Sequence, residues 1–235
     1  KCSVTVGYQL SYPDETISQL SPQECTKLKR EGLYICMIKN PNPVAKNVTP
    51  QLSDAAFIRE KVPMTKEEIR HVSICKLHLK SDSVLYDVGS GTGSIAVEAA
   101  SLSDDMEVYA IEQKENAVQL ITQNKEKHGL ENIHVINAKA PDGMDNLPVP
   151  THAFIGGSGG NLKEIIEALK AKNPHIRIVI NAISMETICE IKEILSAYDV
   201  KNEDIVQLQV SRSKQIGHYH LMQAENPVWI CSFEF

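Results

Sequence analysis

The sequence predicts an α/β fold: a seven-stranded, mostly parallel sheet with helices between its strands and an antiparallel hairpin at its close. Three observations carry this. From Ser83 onward, short β-prone runs alternate with stretches of helical period, as a parallel sheet with crossover helices requires. The first of those runs ends in Gly89-Ser90-Gly91-Thr92-Gly93, a composition that lets a strand turn abruptly into a helix. The last two runs, about 204–210 and 228–235, are joined by too few residues for a crossover helix, so they should pair antiparallel.

Residues 1–40 read as strand, turn, strand, short helix, strand. Val4-Thr5-Val6-Gly7-Tyr8 is β-prone, Ser11-Tyr12-Pro13-Asp14-Glu15 is a turn, and Leu33-Tyr34-Ile35-Cys36-Met37-Ile38 has the apolar run of a buried strand. Asn40-Pro41-Asn42-Pro43 breaks the chain, and a polar stretch to about Gln51 is expected to be a linker. Two domains follow, 1–45 and 46–235, and three short strands alone bury little surface.

In the larger domain the strands fall at about 83–88, 107–112, 133–137, 153–155 and 176–180. Helices are expected from 94 to 101, from 114 to 128 ended by Gly129, from Asn161 onward, and over 185–197. Leu162, Ile165, Ile166 and Leu169 share one helix face, and Asn161 with Glu164 has capping-box spacing. Trp229 and the other aromatics are read as core.

The chain carries 24 basic and 30 acidic side chains, a net charge of −6. That balance argues against a general nucleic-acid or membrane-surface binder, and no apolar run approaches the length of a bilayer span. Cysteines at 2, 25, 36, 75, 189 and 231 form no C-x-x-C pair, so free thiols in the cytoplasm are expected.

The loop at 89–93 follows a strand and opens a helix, so its backbone can touch a ligand and its N–H groups face outward. Glu112 ends the next strand, 19 residues beyond Gly93, where a carboxylate can accept from both ribose hydroxyls of an adenosine. A dinucleotide fingerprint needs glycine at 94, which is Ser94. Gly-x-Gly-x-Gly preceded by Asp87 favours S-adenosylmethionine, and with it the Rossmann-like fold of class I S-adenosylmethionine methyltransferases.

Further along, Phe154-Ile155-Gly156-Gly157-Ser158-Gly159-Gly160 resembles the decarboxylating precorrin methyltransferases of cobalamin synthesis, the CbiT family. So do Val62-Pro63-Met64-Thr65-Lys66-Glu67-Glu68-Ile69-Arg70, Asn181-Ala182, Val210-Ser211-Arg212-Ser213-Lys214, Gly217-His218-Tyr219-His220 and Asn226-Pro227-Val228. The resemblance spans about 53–235. Leu10-Ser11-Tyr12-Pro13-Asp14-Glu15 is similar to the closing turn of the CbiE-type methyltransferase acting at carbon-5, so residues 1–45 are expected to be the tail of such a fused partner domain.

The resemblance implies methylation of a precorrin or cobalt-precorrin at carbon-15 with loss of carbon dioxide from the ring C acetate, and a homo-oligomer, commonly a tetramer. It implies cofactor contacts at Thr65, Asp87, Gly89, Ser90, Gly91, Thr92, Gly93, Glu112 and the backbone of Ala140. The chain departs from its relatives where Ala138-Lys139-Ala140-Pro141 replaces a Gly-Asp-Ala-Pro string, and at His152 and His218, where an Asp and an Arg are common.

A polycarboxylate acceptor calls for fixed positive charge, and Arg is suited to bidentate carboxylate binding. Candidate anchors are Lys66, Arg70, Arg212 and His220, with Gly157 and Ser158 letting a macrocycle approach the backbone. His218 and His220 alternate as a metal pair would, but no third ligand completes a set, so no metal is expected. Two other readings compete: a methyltransferase of an RNA base, and a cofactor-binding assembly domain without turnover. The first lacks a basic, aromatic-interleaved segment. The second is disfavoured by the intact glycine loop.

Overall fold

The computed structural model describes residues 2–41 and 49–235, and the chain divides into two compact units, Lys1–Ala45 and Lys46–Phe235. Most of the expected linker lies outside the described residues.

The first unit holds β1 (Ser3–Tyr8), β2 (Thr16–Leu20), α1 (Pro22–Cys25) and β3 (Tyr34–Lys39), with β1 central in an antiparallel sheet. Val4, Val6 and Tyr8 of β1 are buried. Ser21 accepts from the Glu24 N–H while the Glu24 carboxylate accepts from the Ser21 N–H, closing a capping box on α1. The apolar run of β3 is not buried as expected: Ile35, Met37 and Ile38 are exposed. Among the described residues of this unit, no second layer covers this edge strand.

The second unit is built on a seven-stranded sheet. Its elements are α2 (Glu67–Leu77), β4 (Val84–Val88), α3 (Ser94–Ala100), β5 (Glu107–Glu112), α4 (Glu115–Lys127), β6 (Ile133–Asn137) and β7 (His152–Ile155). Then come α5 (Leu162–Lys172), β8 (Arg177–Ala182), α6 (Met185–Ala197), β9 (Lys201–Leu208), β10 (Ser211–Ile216), β11 (Tyr219–Ala224) and β12 (Val228–Glu234). The order across the sheet is β6-β5-β4-β7-β8-β12-β9, parallel through β8, with β12 antiparallel to both its neighbours.

Helices cover both faces, and successive residues of a strand serve opposite layers. Leu85 belongs to a buried cluster with Ile69, Ile74 and Leu77 of α2, Ile95 and Val97 of α3 and Ile121 of α4. Tyr86 and Val88 belong to the opposite cluster, with Leu162, Ile166 and Leu169 of α5 and Ile191 and Ile194 of α6. Among the described residues no helix is long and apolar enough to cross a membrane.

Three features depart from expectation. α2 does not stand out in the sequence, because Glu67, Glu68, Arg70 and Lys76 interrupt its apolar stripe. Between β9 and β12 the chain forms a separate β10–β11 hairpin, paired only with itself and exposed along its length. Asn161 begins α5 without a side-chain cap, since its Nδ2 instead donates to the Ala140 carbonyl at 3.2 Å.

Candidate active site

The sheet order creates the site. From β4 the chain moves outward to β5 and β6, then returns to place β7 on the other side of β4. The turns after β4 and β7 therefore diverge, and a crevice opens at the carboxyl ends of the strands. Gly89 and Gly157 meet there. Gly89 has φ +69°, and a Cβ on it would lie 2.3 Å from the Gly157 carbonyl oxygen and 2.8 Å from its nitrogen. Only glycine fits a backbone contact this close.

Asp87 organises the first turn from beneath. It is buried, and its Oδ2 accepts from Ser90 Oγ at 2.6 Å and from the Ala96 N–H at 3.1 Å, tying the loop to α3. Its Oδ1 is buried and, among the described residues, makes no hydrogen bond. Burial pushes this carboxyl up to about 7, against the lowering effect of the Ser90 and Ala96 bonds, and Glu112 adds a smaller repulsion. Glu112 reaches over the loop: Oε2 accepts from the Gly91 N–H at 3.0 Å and Oε1 from the Lys114 N–H at 2.9 Å. Each oxygen retains a lone pair for a further donor.

The cleft above these turns has a volume of about 710 Å³. Its lining includes Thr65, Gly89, Ser90, Gly91, Glu112 and Ala140, together with Gly157, Ser158, Asn181, Ser184, Thr187 and Asn226. Its charged lining is Lys66, Lys114 and Lys139 against Glu112 and Glu225, so the local sign opposes the net charge of −6. The chemistry of these residues suits an adenosyl sulfonium, since the Gly89 cradle gives backbone access and Glu112 offers acceptors.

Not every expected residue lies on the cleft. Asp87, Thr92 and Gly93 stand behind its surface and shape the loop, with Gly93 packed against Ile121. Arg70 cannot reach a substrate. It is fully buried, with Nε on Glu98 at 3.0 Å and one terminal nitrogen shared between Asp54 at 3.2 Å and the Thr65 carbonyl at 2.8 Å; the other donates to the Leu52 carbonyl. A guanidinium at 0% exposure survives only when fully partnered, which is what the α2–α3 packing supplies.

Arg212 and His220 sit on the hairpin outside the cleft lining, and Arg212 pairs with Glu68 and, at 3.6 Å, with Glu225. His218 lies in the exposed hairpin turn. His152 starts β7 at the opposite end of the strands, and burial with Arg177 and Lys80 nearby pushes it down to about 4. Among the described residues no group of His, Cys, Asp and Glu is placed to hold a metal. Sequence reasoning passed over Ser184 and Thr187, although a Ser before a helix and just after a parallel strand is the signal for a capped turn at a cleft; Ser184 Oγ accepts from the Thr187 N–H.

Residues 55–234 match the family model of the precorrin methyltransferase domain. This chain belongs to that family. A probable cobalt-precorrin-6B C(15)-methyltransferase (decarboxylating) of Pyrobaculum calidifontis is 38% identical over 185 residues, covering 77% of this chain and 94% of that protein. The crystal structure of precorrin-6y C5,15-methyltransferase from Geobacter metallireducens superposes with TM-score 0.75 at 32% identity, covering 82% of this chain and all of the other. That of the precorrin 8w decarboxylase of Methanobacterium thermoautotrophicum gives 0.72 at 32% identity, over 77% and 98%. The precorrin methyltransferase match falls within the second unit and takes in its whole seven-stranded sheet.

Proposed function

We propose that this chain transfers a methyl group from S-adenosylmethionine to carbon-15 of a precorrin or cobalt-precorrin, with decarboxylation of the ring C acetate, in cobalamin biosynthesis. The observation that carries the proposal is the Gly89–Gly157 backbone contact beneath a cleft flanked by Glu112, in a chain of this family. The names of the relatives support the acceptor and the position.

Thr65, Gly89, Ser90, Gly91, Glu112 and the Ala140 backbone would hold the cofactor, which supplies an electrophilic methyl and itself leaves as a neutral thioether, a departure that needs no acid. The chain's own work is orientation: Glu112 fixes the loop through Gly91, and Gly157 and Ser158 leave room for a flat macrocycle against backbone. Lys66, at the lip beside Asp54, offers a carboxylate contact. Carbon dioxide leaves from the acetate, and the conjugated macrocycle takes up the electrons.

The first unit is read as the tail of a fused carbon-5 methyltransferase domain, supported by its Leu10 to Glu15 turn. Association as a homotetramer is supported by Ile216, Tyr219, Leu221 and Met222, which the self-paired hairpin exposes. Free thiols at all six cysteines support a cytoplasmic setting. The test is mass spectrometry of a cobalt-precorrin-6B substrate incubated with the chain and S-adenosylmethionine. Gain of one methyl with loss of one carbon dioxide is expected. An unchanged substrate despite measured cofactor binding would overturn the proposal in favour of an assembly role.

A further inference from the structure

We propose that Lys139 anchors a carboxylate of the acceptor from the cofactor side of the cleft, and so helps determine which polyanion is held in register with the methyl donor. This rests on the function proposed above. Three other cations expected near the acceptor have carboxylate neighbours within the chain. Arg70 is buried on Glu98 and Asp54, Arg212 is tied to Glu68 and Glu225, and Lys66 lies 3.7 Å from Asp54. Lys139 lines the cleft and, among the described residues, makes no ion pair or side-chain hydrogen bond.

Its stem is placed beside the glycine turn after β7. Lys139 Cε lies 3.7 Å from the position a Cβ would take on Gly159, so its stem crosses from the end of β6 to the glycine turn after β7. Gln113 Nε2 reaches the same point, at 3.5 Å. The backbone beneath the lysine is fixed on both sides. The Ala138 N–H donates to the Glu112 carbonyl at 3.1 Å, and Asn161 Nδ2 donates to the Ala140 carbonyl at 3.2 Å. A lysine held at both flanks, with its Cε beside Gly159, carries its charge to the glycine turn that also holds Gly157 and Ser158 of the cleft lining.

The chemistry selects the partner. An ammonium offers three donors and no acceptor, so it cannot take a hydrogen from an adenine amino group. It suits an anionic oxygen, which a polycarboxylate acceptor supplies in quantity.

The experiment compares the full chain with Lys139→Ala and Lys139→Arg. It measures KM and kcat for decarboxylating methylation, and the Kd of S-adenosylhomocysteine by calorimetry. Lys139→Ala should raise the acceptor KM about tenfold, the loss of one charge-assisted contact, while kcat and the Kd stay at wild-type values. Lys139→Arg should retain most of the affinity. An unchanged KM in Lys139→Ala, or a weakened Kd in its place, would overturn the assignment while leaving the function standing. A wild-type chain without turnover would sink both.

Discussion

Replacing Gly89 by alanine tests the architecture of the cleft at its tightest point. The new methyl would sit 2.3 Å from the Gly157 carbonyl oxygen, far inside contact distance, and the residue holds φ +69°. The left-handed backbone costs an L-residue roughly 1–2 kcal/mol, and overpacking against backbone that cannot rotate away adds roughly 1–3 kcal/mol. A total of about 2–5 kcal/mol lowers the Tm of a domain this size by roughly 10 °C. The strain can be relieved only by parting the turns after β4 and β7, which moves the N–H groups of Gly89 and Gly91 away from any cofactor. Calorimetric binding of S-adenosylhomocysteine should therefore weaken along with Tm. Gly157→Ala is the matched control: its Cβ would meet no atom within 4 Å, so Tm and cofactor affinity should hold while turnover of the bulky acceptor falls. A Gly89→Ala protein with wild-type Tm and affinity would refute the idea that this contact sets the cleft.

Arg70→Ala should strand Glu98 in the core and cost about 3–5 kcal/mol, visible as a Tm loss of roughly 10 °C by scanning fluorimetry. Asp87 has a folded pKa raised from 3.8 to about 7, so the folded chain holds a proton that the unfolded chain releases; its contribution to stability is greatest near pH 4 and declines as pH rises to 7. The Tm difference between wild type and Asp87→Asn, measured from pH 5 to 8, should shift against the wild type with rising pH, and a flat difference would count against a protonated Asp87. His152 behaves in the opposite sense. Its pKa is lowered from 6.5 to about 4, so the unfolded chain takes up a proton first, and stability should fall as pH drops through that window. His152→Asn should flatten that acid limb in Tm measurements from pH 4 to 7.

The parallel strands were legible because each is a short β-prone run bounded by a turn signal, and β5, β6 and α6 fall at the residues the sequence marks. The strand-end glycines and Glu112 were legible for a related reason: their spacing follows from the geometry of a strand–turn–helix unit. What was hidden depended on partners distant in sequence. Ile35, Met37 and Ile38 look like core residues, but burial requires a second layer that a run of letters does not reveal. Asn161 has the form of a cap, yet the carbonyl of Ala140 lies close enough to claim its amide. Arg70 has the composition of a substrate anchor, and only the packing of α2 on α3 brings it to Glu98.

Arg70 nevertheless bears on the site, by holding what leads to it. Residues 49–66 have little regular structure beyond the short helix Asp54–Ala56, and so depend on side chains for backbone partners. Glu98 Oε1 accepts from the N–H groups of Gln51 and Leu52 at 2.7 and 3.0 Å, and Arg70 donates to the carbonyls of Leu52 and Thr65. One buried ion pair thus fastens both ends of the segment 51–65, which leads to the cleft. Thr65 and Lys66 form the lip of that cleft, and the Pro63 carbonyl stands 3.2 Å from where a Cβ on Gly91 would be. A hydrophobic pair of equal volume could replace Arg70 and Glu98 in stability. It could not replace their bonds to the four backbone groups, so such a double variant should fold normally while binding S-adenosylhomocysteine more weakly. Retained affinity in a stable apolar double variant would show that the segment holds its place without the pair.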